Sequence, residues 1–470
     1  MRILRLRLVA FAVLAAGCQS SPQHCADHGF PDRHVRQAAL AALEDNGDRS
    51  VRQAQHSEAD PNDDASLRGI TQDSLEPVPQ QTLGLPDLEE MALATNPSIT
   101  KERALVEAAR GNWLQVGLPP NPSLGYEGQQ IGSHGLAEQD GVFVGQEIVR
   151  GGKLRLNREV AAQEVAKAEQ QLMAQEWRVR TDVRIAFYHV LIAQRQAQLA
   201  TDLQKVATEN LKAAESLERG KEVGKIDVVQ AQLELENVRI LLENARNRER
   251  AAWRTLASVV GDSELPSKSL VGDIEEERAK HEWQPTLARL LSSSPEIAAQ
   301  MAEVERARWA AERARVEKTP NLTVQGLVNV RDNGIGGRSD GSLTVGVPLP
   351  LWNRNQGAIV QTAQAAVAAE RAFQQLELAL QNRLVPVYER YSNALNQTSK
   401  YRDSILPGAQ RALELAKATY QAGETSYVNL LTAQRTYSQT NLNYLEALRE
   451  LREAEAQIEG LLLSGSLESR

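Results

Sequence analysis

The sequence is short of the residues that build compact cores and disulfide frameworks. Only 4% of its 470 residues are aromatic, and only two are cysteines, Cys18 and Cys25. Alanine, glutamine, glutamate, leucine and arginine are abundant instead, a composition that favours long helices over a compact globular core. We therefore expect a mainly helical protein with a small β part.

Motifs and charge patterns of several common function classes are missing as well. The sequence has no glycine-rich phosphate loop, no nucleophile elbow and no His-Glu-x-x-His motif, which disfavours an enzyme and predicts neither a cofactor nor a metal site in the folded body. The formal net charge is -8 and basic residues alternate with acidic ones, so no nucleic acid is expected as a partner. No apolar run of about 18 residues follows the N-terminal segment, which excludes helices as a means of crossing a membrane.

The N-terminal segment has the pattern of a secretory signal. Basic residues at positions 2, 5 and 7 precede an apolar stretch from Leu8 to Ala16, and we expect residues 1–17 to be a signal peptide. The stretch ends Leu-Ala-Ala-Gly-Cys, which is similar to the bacterial lipobox. The pattern predicts that Cys18 is acylated, for example with palmitate; the alternative is an ordinary signal peptide followed by an incidental cysteine.

A small group of metal-ligating residue types follows this cysteine. His24, Cys25 and His28 could bind a soft or borderline metal ion. The alternative is a solvated tail, because residues 46–81 are rich in Asp, Asn, Ser, Gln and Pro and lack periodicity. We predict that residues 18–84 are a lipid-anchored and largely disordered linker.

The remainder of the sequence is duplicated with an offset of about 200 residues. Two short segments show the duplication: Asn96-Pro97-Ser98-Ile99 in the first copy and the similar Ser294-Pro295-Glu296-Ile297 in the second. Each segment lies at the start of a predicted helix. Both copies continue with two strands, a long helix, a turn and a second long helix. The sequence therefore predicts two repeats, 85–265 and 266–470.

Each repeat contains a predicted β-hairpin, at 121–149 and at 320–351. Apolar and polar residues alternate there with a period of two, more regularly in the second hairpin than in the first. A two-stranded hairpin alone is barely stable, whereas a strand in a membrane barrel can expose an apolar face to lipid. Four strands cannot close a barrel of useful bore, so closure requires several chains. The predicted lipid-facing residues are Leu322, Val324, Val328, Leu343, Val345 and Val347.

Four long helices are predicted, at 153–219, 227–260, 355–421 and 426–463. The longest would reach about 100 Å, and apolar residues at three- and four-residue spacing predict coiled-coil-like packing. Pro386 and Pro407 are expected to interrupt the third helix. Gly224 and Gly423 are expected where the helix pairs reverse, because glycine accepts positive φ and ends helices.

This order of elements resembles the TolC-like outer membrane efflux proteins, from about Leu85 to Leu463. Two stretches at the strand-to-helix junctions, Gly145–Lys153 and Val347–Gly357, are similar to the branch that serves heavy-metal efflux pumps of the resistance-nodulation-division class. The resemblance implies a homotrimer with a 12-stranded outer-membrane β-barrel that continues into a long α-helical periplasmic barrel.

The resemblance also implies a function. The chain would be the outer-membrane channel of a tripartite efflux system, a passive exit duct for substrates such as heavy-metal cations. A periplasmic adaptor and an inner-membrane resistance-nodulation-division pump would be its partners, beside outer-membrane lipid. The alternatives are a periplasmic coiled-coil scaffold and a type I secretion exit duct.

Functional residues are implied at the turns between paired long helices. The family places these tips in the periplasm against the adaptor, which implies contacts from Val223, Gly224, Lys225, Ala422, Gly423 and Glu424. Asp227 and Glu424 are candidate gate carboxylates near the axis of the closed tip. The alternative is that both point outward and stabilise the first turn of their helices.

Overall fold

The structure, a computed structural model, describes residues 83–129, 139–267, 270–332, 338–422 and 424–468, without the side chains of 331 and 332. All of them lie in the second of the two units of the chain, Pro77–Arg470. The predicted signal peptide, Cys18, the group of His24, Cys25 and His28, and Gly423 lie outside the described residues.

The described elements follow the predicted duplicated order. The first half comprises α1 (Leu85–Thr95), α2 (Pro97–Gln115), β1 (Ser123–Gln129), β2 (Gln139–Ile148), α3 (Lys153–Arg219) and α4 (Lys225–Val260). The second half comprises α5 (Trp283–Ser293), α6 (Pro295–Val316), β3 (Leu322–Asp332), β4 (Arg338–Gly346), α7 (Gln356–Lys400), a π-helical turn (Tyr401–Ile405), α8 (Leu406–Gln421) and α9 (Tyr427–Glu459).

Each half has two helices before its hairpin, where the sequence pattern predicted one. The breaks fall at Asn96 and Ser294, which are extended, with ψ of 120° and 123°. Proline follows each of them and disfavours helical backbone at the residue before it. The Asn96 side chain then accepts a hydrogen bond from the Ser98 amide and caps α2.

The long helices are present, but the third differs from its prediction. Helix α3 runs for 67 residues, about 100 Å at 1.5 Å per residue. The predicted helix 355–421 is divided into α7, the π-helical turn and α8. Pro386 lies within α7 without ending it, whereas Pro407 follows the π-helical turn in the first turn of α8, where its missing N–H is best tolerated. The fourth helix ends at Glu459 rather than at 463.

The two predicted hairpins form one antiparallel sheet of four strands in the order β1-β2-β3-β4. Strands β2 and β3 join the repeats, with Val142 opposite Val328 and Gln146 opposite Val324. On either side, Leu124 of β1 lies opposite Val144, and Val345 of β4 lies opposite Val324. Residues that are directly opposite share a face of the sheet, so the register assigns every side chain to one of two faces.

The two faces differ sharply in polarity. The apolar face exposes Leu124, Tyr126, Val142, Val144, Val328, Leu343 and Val345, with exposed fractions from 47% to 75%. The polar face carries Ser123, Glu127, Gln325, Asn329, Asp340 and Thr344. The predicted alternation is therefore confirmed in both hairpins, including the first, whose sequence pattern is less regular.

The helices bury apolar residues in several clusters along their length. The largest joins α1, α3 and α4 around Leu88, Val183 and Leu256, and its counterpart in the second half joins α5, α7 and α9 around Leu290, Leu380 and Leu384. Across the described ranges no helix combines the length and the apolar character that a membrane span requires.

The segment between the repeats is held against α9 by a buried arginine. Arg452 is 2% exposed and donates through Nε to the Ile274 carbonyl at 3.0 Å and through a second nitrogen to the Glu276 carbonyl. Its Nη1 donates to Glu455 Oε2 at 2.8 Å, in an ion pair whose two side chains are almost fully buried. Without the arginine, the buried Glu455 carboxylate would keep only the Arg278 guanidinium, 4.0 Å away, as an ion-pair partner among the described residues.

Arg452→Met is expected to lower the free energy of unfolding by about 3 to 5 kcal/mol, because it leaves a buried charge without its partner. Denaturant unfolding of the purified protein measures the loss. The additional change Glu455→Gln should recover part of it. Arg449→Met in the same helix is the control: Arg449 is 31% exposed, and we expect a loss of about 1 kcal/mol or less. Equal losses from the two single variants would contradict this account.

Candidate functional site

The first helix tip lies between α3 and α4. Helix α3 ends at Arg219, and the chain reverses at Lys221, whose φ of 60° is left-handed. Gly224 caps α4 with a φ of -83°, so the expected positive φ at this glycine is wrong and the reversal is made by Lys221 instead. Gly224 and Lys225 are exposed, and Val223 is half-buried.

The second tip lies between α8 and α9. Ala422 caps the C-terminus of α8 in right-handed helical conformation, and its amide donates to the Ala418 carbonyl at 3.0 Å. The Glu424 amide donates to the Thr419 carbonyl at 2.9 Å, which holds the loop against the end of α8. Ala422 and the Glu424 side chain are exposed.

Two tyrosines join the helix pairs close to these tips. Tyr427, at the start of α9, is 2% exposed and packs with Ala214 of α3 and Ala231 of α4. The ring of Tyr420 in α8 meets it edge-to-face, with 5.7 Å between the ring centroids. The two helix pairs of one chain are thus packed together by aromatic side chains at the end where the tips lie.

Charged groups surround these tyrosines. Burial, with the nearby Glu234 carboxylate as a second cause, raises the pKa of Tyr427 to about 12. Burial and then the charge of Asp227 raise the pKa of Tyr420. Arg435 of α9 donates from Nη2 and Nε to Glu234 Oε2 of α4, at 2.7 and 3.0 Å, and so adds an ion pair between the two helix pairs.

A cavity of about 670 Å³ opens between the tips. Its lining includes Val223, Gly224 and Asp227 from the first tip and Tyr420 and Tyr427 from the second helix pair. Asp227 is half-buried there, in the first turn of α4, whereas Glu424 is exposed and is not part of the lining. Within one chain, the structure therefore places the two candidate gate carboxylates in different surroundings.

The two stretches that resemble the heavy-metal branch lie where strands pass into long helices. Gly151 and Gly152 are left-handed, with φ of 72° and 67°, and Asn355 holds the same conformation before α7 with a φ of 62°. The buried Lys153 Nζ lies 3.3 Å from Glu317 Oε1 and donates to Asn321 Oδ1 at 3.0 Å. This lysine ties the first repeat to the second at the base of the sheet.

Sequence reasoning missed the tyrosine pair and the ion pair between Glu234 and Arg435. A signal for the tyrosines was present. In a chain with 4% aromatic residues, Tyr420 and Tyr427 stand seven residues apart on either side of the second tip loop. The ion pair joins residues about 200 positions apart, and no local pattern marks such a contact.

Both halves of the chain match the same protein family. The family model described as Outer membrane efflux protein matches residues 88–262 and 286–462. The cobalt-zinc-cadmium resistance protein CzcC of Cupriavidus metallidurans is 25% identical over 400 residues, which cover 83% of this chain and 94% of that protein.

Solved structures share the fold. The crystal structure of CusC, in a study of its folding and transmembrane channel formation, is similar with a TM-score of 0.65 and 19% identity, over 85% of this chain and all of that chain. The open state of the MtrE outer membrane channel of Neisseria gonorrhoeae is similar with a TM-score of 0.68 and 18% identity, over 81% of this chain and 89% of that chain.

The raised pKa of Tyr427 predicts a pH effect on stability. Its ordinary pKa is 10.0 and its folded pKa is about 12, so its contribution is complete below pH 10 and is lost as the pH rises through 12. Tyr427→Phe removes this loss and should flatten the fall of the thermal midpoint between pH 10 and 12. Tyr437→Phe in the same helix is the reference for deleting one hydroxyl. Parallel curves for wild type and Tyr427→Phe would contradict the assignment.

Proposed function

The chain belongs to the outer membrane efflux protein family, and we propose that three copies of it form the passive exit duct of a tripartite efflux system that exports metal cations. The observation that carries the proposal is the four-stranded sheet, with one exposed apolar face and one polar face. In the wall of a membrane channel, the apolar face of such a sheet would contact lipid and the polar face would contact water.

The order of the strands supports assembly from several copies. Within the described chain, β1 is paired only with β2 and β4 only with β3, so both outer strands keep a free edge. Free edges are intolerable in hydrocarbon, and the smallest known membrane barrels have eight strands. Three copies of four strands give a closed barrel of twelve, with β4 of one copy beside β1 of the next.

The helix tips are the proposed docking site for the periplasmic adaptor. Exposed groups are available at both tips, at Gly224 and Lys225 in the first and at Ala422 and Glu424 in the second. Val223 and Gly423 complete the proposed set. The adaptor would connect the duct to an inner-membrane pump of the resistance-nodulation-division class.

An N-terminal lipid anchor is part of the proposal. Cys18 follows a signal-like segment and would become the acylated first residue of the mature chain, which would hold that end of the chain at the outer membrane. The barrel would hold the same chain in that membrane independently, and the long helices would extend into the periplasm.

Heavy-metal cations are the proposed cargo. The relative CzcC is named for resistance to cobalt, zinc and cadmium, and it matches this chain over nearly its whole length. The strand-to-helix junctions that resemble the heavy-metal branch support the same cargo. A periplasmic coiled-coil scaffold would account for the helices but would leave the exposed apolar face of the sheet without a role. A type I secretion duct remains the alternative assembly.

The lipid-facing assignment predicts unequal effects of the same charge on the two faces. Val345→Arg should destabilise each chain by about 2 to 4 kcal/mol at mid-depth, whereas Gln325→Arg should have little effect because it would lie in water. Urea unfolding in lipid vesicles measures both losses. Gln325 lies directly opposite Thr344, next to Val345, so the two substitutions are matched in depth. Equal losses would mean that the faces are misassigned.

The candidate gate predicts a change in ion selectivity. If Asp227 and Glu424 of three chains converge near the axis, their charges raise the local cation concentration. The double change Asp227→Asn and Glu424→Gln should then lower cation selectivity in planar bilayers. Because Asp227 lies in the cavity and Glu424 does not, each single change should be recorded as well. Unchanged selectivity with a small loss of thermal stability would assign Asp227 to stabilising the first turn of α4 and place the gate elsewhere. Glu424 precedes Ser426, the N-cap of α9, so the expectation that it stabilises the first turn of its helix is wrong.

A further inference from the structure

The polar face of the sheet carries apolar side chains at one level, where β4 contributes Ser342. Phe143 of β2 and Leu327 of β3 lie directly opposite each other, with Gly125 of β1 on the other side of Phe143. Hydrophilic residues occupy the neighbouring levels. Toward the helices these are Ser123, Gln325 and Thr344, and away from them Glu127, Asn329 and Asp340.

Phe143 does not stand upright on the sheet. A Cβ atom added at Gly125 would lie 2.6 Å from both Cε1 and Cζ of its ring, which means that the ring lies across the bare backbone of Gly125. Side chains in strands normally stand roughly perpendicular to the sheet. The glycine therefore provides the space into which the ring folds down.

Leu327 is accommodated in the same way. It is 7% exposed, and a Cβ atom added at Gly141 would lie 2.8 Å from its Cδ1. Both bulky side chains of this face thus lie flat over a glycine of the neighbouring strand. Both apolar side chains therefore lie close to the backbone of the sheet instead of projecting away from it.

We propose that Gly125 keeps the exit duct open by letting the ring of Phe143 lie flat against the barrel wall. The inference rests on the proposed function, because the polar face lines a bore only when three copies close the barrel. Three such rings then lie at one level. Gly125 is a positioning residue that acts through Phe143 and sets the width of the bore at this level of the barrel.

The direction in which the ring would move follows from its surroundings. The backbone of β2 is fixed by ladders to β1 and β3, and Leu327 occupies the side toward β3. A side chain at position 125 therefore displaces the far end of the ring rather than the backbone. The open direction is away from the sheet, toward the axis of the duct.

The test uses the full-length protein, purified and inserted into planar bilayers. Gly125→Val is compared with wild type, and Gly125→Ala serves as an intermediate. Gly326→Val is the matched control: Gly326 lies on the apolar face, and an added Cβ meets no atom within 4 Å. Single-channel conductance is recorded with polyethylene glycols of graded size added only on the extracellular side, so that the measurement reports the barrel rather than the helix tips.

We expect the Gly125→Val channel to exclude the largest polymer that enters the wild-type duct. Gly125→Ala should exclude that polymer to a smaller extent, and Gly326→Val should admit it as wild type does. Adding Phe143→Ala to Gly125→Val should restore entry of that polymer. Single-channel recording is independent of how many channels assemble, so reduced assembly of a variant does not imitate a narrower bore.

Three results would overturn the inference, and they differ in what they say of the proposed function. If Gly125→Val and Gly326→Val admit the same polymers as a conducting wild type, the flat ring does not set the bore, although the channel function stands. A narrowing by Gly125→Val that Phe143→Ala fails to relieve has the same meaning. If wild type forms no conducting channel, the proposed function and this inference both fail.

Discussion

Unpaired backbone groups at the edges of a β-sheet are the constraint on which the rest of this structure depends. The chain offers four strands in one sheet, and its outer strands, β1 and β4, each have one neighbour within the described residues. Hydrocarbon does not hydrate free N–H and C=O groups, so a sheet placed in a membrane must close. In the proposed assembly, pairing of β4 of one copy with β1 of the next would satisfy both edges and would bring the long helices of all copies together on one side.

The strand-to-helix junctions couple this sheet to the helices. Left-handed backbone at Gly151, Gly152 and Asn355 turns the chain from strand into helix, and the buried Lys153 contacts the second repeat at the same level. At the far end of the helices, Tyr420 and Tyr427 belong to the apolar cluster that packs the second helix pair against Ala214 and Ala231 of the first. Different contacts therefore stabilise the two ends of the helical part. A buried lysine joins the repeats at one end, and a pair of tyrosines packs the helices at the other.

Much of this fold was predictable because its periodicities are strong. The duplication, the long helices and the period-two alternation of Val324, Val328, Leu343 and Val345 all follow from spacing along the sequence. Details that depend on partners far along the chain were not predictable. The left-handed residue of the first tip is Lys221 rather than Gly224, and the third long helix contains a π-helical turn before Pro407. The sequence pattern places both candidate gate carboxylates near the turns between long helices, but only the structure separates the half-buried Asp227 from the exposed Glu424.

The sheet of one chain keeps two free edges among the described residues, and we propose that three chains complete it. Native mass spectrometry of the protein extracted from the outer membrane, with strand content measured on the same sample by infrared spectroscopy, tests this most directly. We expect a complex of three copies whose strand signal is lost when the copies are separated. A stable monomer that retains its full strand content in detergent would contradict it.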